Sequence, residues 1–196
     1  MKYLAEFLSF GFHPTIFFLI MPFLIVYKYT QNHFSAFLWQ IFSATFVAAA
    51  IAIVLVGRKK GIFSDCDISK KDERYEFYAF ILFFSMIYIG SAVFLRGLVF
   101  PMTLIAIGIT CGIVLFDILN RYIKASNHVA VAAAFTTTIG LLYGVGFFFA
   151  TFWIVPSLAW ARLVLKKHTK SEAIAGGILG ILITLLTFLV GKYIYR

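Results

Sequence analysis

Three short stretches of the chain gather side chains able to handle an anion. A polar loop carries Ser64, Asp65, Asp67, Lys70, Lys71, Glu73 and Arg74. Lys124, Ala125, Ser126, Asn127 and His128 run consecutively into the start of an apolar segment. Arg162 is followed after five residues by His168 and after three more by Glu172, just ahead of the small residues Ala175, Gly176, Gly177 and Gly180. Fixed guanidinium and ammonium groups hold the nonbridging oxygens of phosphate through charge-assisted hydrogen bonds. The unpaired N–H groups at a helix start, together with the helix dipole, favour the same anion. Histidines beside such a cradle add proton transfer or nucleophilic attack.

Each of these residues also has a plainer use. Thr169 to Glu172 is a capping box for the apolar run that follows, and Ser126 or Asn127 is a sound N-cap. Lys166, Lys167 and Lys170 suit anionic headgroups. His13, next to Pro14, and His33 are read as structural, although His13 lies on the same face as the three stretches. Asp117 is placed to pair with Arg121 or Lys124 along a helix.

The elements that must position these residues are membrane spans. Of 196 residues, 62% are hydrophobic and 13% charged, with a mean hydropathy of +0.97; an ordinary soluble domain is about 45–50% apolar and about 25% charged. The net charge of +9 therefore points to lipid headgroups or phosphates, because there is no soluble basic domain to dock on a duplex. Nucleic acid is excluded as a partner. A bilayer core needs about 20 apolar residues as helix, and such runs lie near residues 7 to 27, 36 to 56, 77 to 95 and 98 to 116. From His128 to Leu165 no charge occurs until Arg162; one helix of that length would reach about 57 Å, so the stretch folds back. A turn at Gly144 and Gly146 gives spans near 128 to 145 and 147 to 165, the second kinked at Pro156, and residues 172 to 191 supply a seventh. The N-terminal run is read as a retained span, since Glu6 and the lack of a small-residue cleavage site argue against a removed signal peptide.

Two spans separate each of the polar stretches 57 to 76, 117 to 128 and 162 to 172 from the next, so all three emerge on one face. That face carries thirteen Lys and Arg against four on the other, and the positive-inside rule makes it cytoplasmic. Trp39, Trp153 and Trp160 read as lipid-facing or interfacial, and the small-residue runs at 48 to 52 and 173 to 180 as close helix contacts. Cys66 and Cys111 suggest neither a disulfide nor a metal site.

The second and third stretches resemble the type 2 phosphatidic acid phosphatase superfamily. Its second motif is Pro-Ser-Gly-His, whose spacing is kept here by Ala125, Ser126, Asn127 and His128, with Ala125 for Pro and Asn127 for Gly. Its third is Ser-Arg, five residues, His, three residues, Asp, whose spacing is kept by Ala161, Arg162, His168 and Glu172, with Ala161 for Ser and Glu172 for Asp. The first motif, a lysine, six residues, then Arg-Pro, is absent in its literal form; the loop holding Ser64, Asp65, Lys71 and Arg74 looks like the variant found in divergent prokaryotic members. Two spans also intervene between first and second motifs. The likeness covers roughly residues 58 to 185.

The resemblance implies an all-α polytopic bundle of six to seven spans, a single integral membrane domain over 1–196, acting as a lipid phosphatase with no metal and no cofactor. His168 would be the nucleophile that forms a phosphohistidine, Glu172 would fix its tautomer, and His128 would protonate the leaving oxygen and then activate water. Arg162, Lys71, Arg74, Lys124, Ser126 and Asn127 would hold the phosphate. Expected substrates are phosphatidate, phosphatidylglycerophosphate or a polyprenyl phosphate or diphosphate, in the plasma (inner) membrane. A phosphotransferase using the same intermediate is the nearest enzymatic alternative; a lipid-binding or transport protein that keeps the phosphate pocket is the rival of another class.

Overall fold

A computed structural model describes residues 1–194. These residues form nine helices and no strand: α1 (Lys2–Gly11), α2 (Pro14–Thr30), α3 (His33–Lys59), α4 (Glu73–Arg96), α5 (Pro101–Asn120), α6 (Asn127–Tyr143), α7 (Val145–Phe152), α8 (Ile154–Val164) and α9 (Lys170–Ile194). Six helical stretches are long and apolar enough to cross a membrane, counting α1 with α2 and α7 with α8 as one each. The stretch expected to be another span, α6, has 17 residues. At 1.5 Å per residue it reaches about 25 Å, the short end of what crosses a bilayer core of about 30 Å. It runs inside the bundle, with His128, Val129, Ala130, Ala132, Ala133, Thr136 and Ile139 buried.

Two of the expected spans are interrupted. The first breaks at Phe12 and His13: His13 is extended, with φ −64° and ψ 142°, and its side chain accepts from the Thr15 amide while Pro14 opens α2. Proline at the first helical position loses no hydrogen bond, so the chain restarts there. The span near 147 to 165 breaks at Trp153, three residues before Pro156. A proline ring clashes with the carbonyl four residues back, which is that of Phe152, the last residue of α7. The fold-back falls on Gly144 alone, at φ +103°, a backbone conformation that favours glycine; Gly146 belongs to α7.

α6 and α9 approach closely because Gly176 faces the Ser126 backbone and Gly180 faces the Ala130 backbone, with no room for a Cβ at either place. Gly108 on α5 likewise meets Thr187 of α9. Small residues four apart let helix backbones approach within a membrane. The core beside these contacts is made by Ile25, Val26, Ala36, Trp39, Ala92 and Met102. Trp39 thus departs from the expected lipid-facing position: it is buried and packs on Phe42 and Phe100. Trp153 is half exposed. The far side of α9, with Ile174, Ile178, Leu182 and Leu186, presents the apolar surface that lipid covers.

Candidate active site

The three polar stretches meet at one end of the bundle. The α6–α9 contact sets the arrangement, because the Ser126 amide donates to the Glu172 carbonyl at 3.0 Å. That bond fixes the start of α9, and with it His168, against the start of α6. His168 follows a tight turn in which the amides of Lys167 and His168 both donate to the Arg162 carbonyl. Its Nδ1 lies 3.0 Å from Glu172 Oε2 and 3.1 Å from the Lys124 carbonyl, and Nε2 makes no hydrogen bond. The Glu172 carboxylate therefore orients the ring with Nε2 left available. The same oxygen accepts from the Thr169 amide, while Thr169 Oγ1 accepts from the Glu172 amide, so the capping box and the histidine contact coexist.

Burial, first of all, and then the Arg74 and Arg162 guanidinium groups push the His168 pKa down to about 4, against the hydrogen bond to Glu172 that raises it. The imidazole is neutral at pH 7 and its Nε2 lone pair is free for chemistry. Burial also lowers the Lys124 ammonium, with Glu172 acting in the opposite sense. Lys124 Nζ donates to the carbonyls of Ser69 and Lys167, binding the first stretch to the third.

Arg162, only 2% exposed, is the deepest cation. Its Nη1 donates to Asp67 Oδ2 at 2.8 Å and to Ser9 Oγ at 2.9 Å, while Nε is buried without a partner. Replacing Arg162 with methionine would strand the Asp67 carboxylate. Because Asp67 is partly exposed, the expected loss of stability lies toward the lower end of the about 3–5 kcal/mol typical of breaking a buried pair, to be read from thermal unfolding in detergent. Arg74 is buried as well, donating from Nε to the Ile68 carbonyl and from Nη1 to the Ala125 carbonyl. It braces the first stretch against the second.

At the start of α6, Ser126 Oγ is fully buried without a partner, and the amides of Asn127, His128 and Val129 make no hydrogen bond in the protein. The Asn127 side chain pairs with the Tyr78 hydroxyl at 3.1 Å, so what it offers an anion is its backbone N–H. His128 is 5% exposed, and its Nε2 has no hydrogen-bond partner and lies 3.8 Å from Asp67 Oδ1.

Lys71 is not brought into this cluster: its ammonium donates to the Arg121 carbonyl at 2.8 Å and its own carbonyl accepts from Asn120. It ties the loop to the end of α5, where a helix C-terminus leaves carbonyls without intrahelical partners. Arg162, Arg74, Lys124, Ser126, Asn127, His128, His168 and Glu172 do come together.

The fold adds four residues that the sequence does not place among the candidate catalytic or phosphate-binding groups. Asp67 bonds Arg162; His13 Nε2 lies 4.0 Å from Asp67 Oδ1; Ser9 bonds Arg162; and Lys167 Nζ reaches Asp65 Oδ2 and Ser69 Oγ. Asp65 shapes the loop that presents Asp67, accepting from the amides of Asp67 and Ser69. Burial pushes its carboxyl up, but the bonds from Ser69 and Lys167 hold it below the usual value. Nothing in the spacing marks Ser9 or His13, which lie more than fifty residues from Asp67. Arg58, Asp65, Cys66, Asp67 and Lys167 line an open surface hollow of about 310 Å³.

No protein-family model, no curated protein and no solved structure matches the chain.

Proposed function

We propose that the protein is a membrane lipid phosphatase of the type 2 phosphatidic acid phosphatase kind, working through a phosphohistidine and without a metal. The observation that carries this reading is the His168–Glu172 contact at 3.0 Å, placed beside Arg162, Lys124 and the unpaired amides that open α6. A nucleophile oriented by a carboxylate next to an anion cradle is the arrangement that covalent phosphoryl transfer requires.

In the first step the His168 Nε2 lone pair attacks phosphorus. The bond to the lipid oxygen breaks, and that oxygen takes a proton from His128. In the second step water attacks phosphorus and gives a proton to His128; the P–N bond breaks and inorganic phosphate leaves. Arg162 holds the nonbridging oxygens throughout, so phosphate competes with the Asp67 carboxylate for that guanidinium. Glu172 balances the charge that develops on the His168 ring.

The substrate is a phosphate monoester or diphosphate on a membrane lipid. Phosphate release by the detergent-purified protein, with a chelator present, should be measured on phosphatidate, phosphatidylglycerophosphate and polyprenyl diphosphates. Turnover of one class supports the reading; silence on all of them from folded protein removes it. A phosphate-binding partner or transporter is favoured by the 2.8 Å Arg162–Asp67 pair, which closes the arginine without chemistry, and silence with retained phosphate binding would select it.

The membrane is proposed to be the plasma (inner) membrane, with the site facing the cytoplasm on the Lys and Arg bias. Cys66 reports on this because it is exposed in the site loop. In a Cys111→Ser background, an impermeant thiol reagent should label Cys66 only after the cells are opened. Labelling in sealed cells would reverse the orientation.

A further inference from the structure

We propose that His13, Asp67 and His128 form a reversible binding site for a zinc-like divalent transition-metal ion, and that the bound ion shuts off the phosphate chemistry. His13 Nε2, His128 Nε2 and Asp67 Oδ1 converge, all three ligand atoms lying within 4.8 Å of one another. Zinc bonds of about 2.0–2.1 Å in a tetrahedron set ligand atoms about 3.3 Å apart. The Asp67–histidine separations of 3.8 and 4.0 Å exceed that spacing by less than about 1 Å, and the two imidazoles, within 4.8 Å of each other, close by up to about 1.5 Å.

Three further features mark a site and not a chance grouping. His128 Nε2 is buried with no hydrogen-bond partner, and a buried polar atom left so calls for an explanation such as an ion. The carboxylate is divided: Oδ2 is held by Arg162, and Oδ1 is the oxygen that faces both imidazoles. His13 Nδ1 lies 2.9 Å from Thr15 Oγ1; with a metal on Nε2 the ring proton sits on Nδ1 and is donated to that hydroxyl oxygen, in place of the 3.4 Å contact from the Thr15 amide. Partners that orient the ligands in this way are regular companions of metal sites. The two rings stand edge to face, centroids 5.0 Å apart, as they would on adjacent positions of one ion.

Two imidazoles with one carboxylate select a borderline ion such as zinc, cobalt or nickel over magnesium or calcium, which take oxygen ligands. The cations facing the cluster, Arg162 foremost with Arg74, Lys124 and Lys167 around it, oppose a second positive charge and make the site weak and reversible. Occupied, it takes the His128 lone pair needed for proton transfer and keeps Asp67 on Arg162, where phosphate would bind. The inhibitory half of the proposal rests on the phosphatase reading; the binding half does not.

The test uses the full chain in detergent, stripped of metal. Cobalt is the probe, followed by its ligand-field absorption, with zinc as competitor. Saturable binding with a stoichiometry of about one ion per chain is expected. His13→Asn, which retains a good N-cap, and Asp67→Asn should each weaken cobalt binding by more than about tenfold, with folding checked by circular dichroism. His168→Ala, outside the triad, should bind cobalt as before. Zinc should inhibit lipid phosphate release, and the ratio of rates with and without zinc should approach one in His13→Asn. No saturable cobalt binding, or binding unaffected by His13→Asn, overturns the site; binding without inhibition overturns the shut-off. Cobalt binding with no phosphate released from any lipid leaves the site standing and removes the phosphatase reading instead.

Discussion

His168→Ala should lower lipid phosphate release by at least about a thousandfold, since removing one member of a nucleophile–partner unit costs nearly as much as removing the unit. Phosphate affinity should survive in that variant, because Arg162, Lys124 and the α6 amides remain. Glu172→Gln separates the two uses of one carboxylate. A glutamine still completes a capping box, so unfolding should change little, while turnover falls by about 10²–10⁴ as the ring loses its charged partner. Turnover that tracks only the loss of folded protein would reduce Glu172 to a cap. Full turnover in His168→Ala would end the nucleophile assignment.

The pH dependence of the same residue follows from its environment. With its pKa pushed down to about 4 from 6.5, His168 is neutral and nucleophilic throughout the neutral range, and its contribution to rate should be lost as pH falls through about 4. Stability carries the matching sign. Between 6.5 and about 4 the unfolded chain binds the proton that the folded ring refuses, so this group's contribution is full above 6.5 and declines as pH drops. His168→Ala should flatten the acid side of the stability curve, as measured by thermal unfolding across that window.

Much of this was legible where interactions are local. Arg162 lies in the last turn of α8, His168 in the turn that follows and Glu172 in the first turn of α9, so their spacing in sequence nearly is their spacing in space. The long apolar runs read directly as helices for the same reason: hydropathy needs no partner to be recognised. What did not read out depends on elements far apart in the chain. Ser9 and His13 meet Arg162 and Asp67 because the break between α1 and α2 falls at the site, and an apolar run looks the same whether broken or continuous. Lys71 and Arg74 are three residues apart, yet one serves the end of α5 and the other braces the site, a choice made by the loop's fold. Trp39 was misplaced because an apolar helix offers no polar face from which to tell lipid from protein.

Gly180→Leu should separate the bundle at its tightest seam. A Cβ at 180 runs into the Ala130 backbone, and backbone, unlike a flexible side chain, does not give way; overpacking of about 1–3 kcal/mol, occasionally more, is the expected loss of stability. Gly177 is the control on the same helix. A Cβ there would meet only Val129 Cγ1, at 3.7 Å, an ordinary contact, and exchanging a mid-helix glycine for alanine favours the helix by about 0.5–1 kcal/mol. Gly177→Ala should therefore leave the melting temperature unchanged or raised, while Gly180→Leu lowers it. Function should follow the seam as well, since the Ser126–Glu172 bond at 3.0 Å holds His168 against the opening of α6. A displacement of about 1 Å in a reacting group costs about a hundredfold in rate, so any Gly180→Leu protein that still folds should release phosphate far more slowly per folded molecule. Unchanged turnover per folded molecule would show that the α6–α9 seam supports the bundle without setting the geometry of the site.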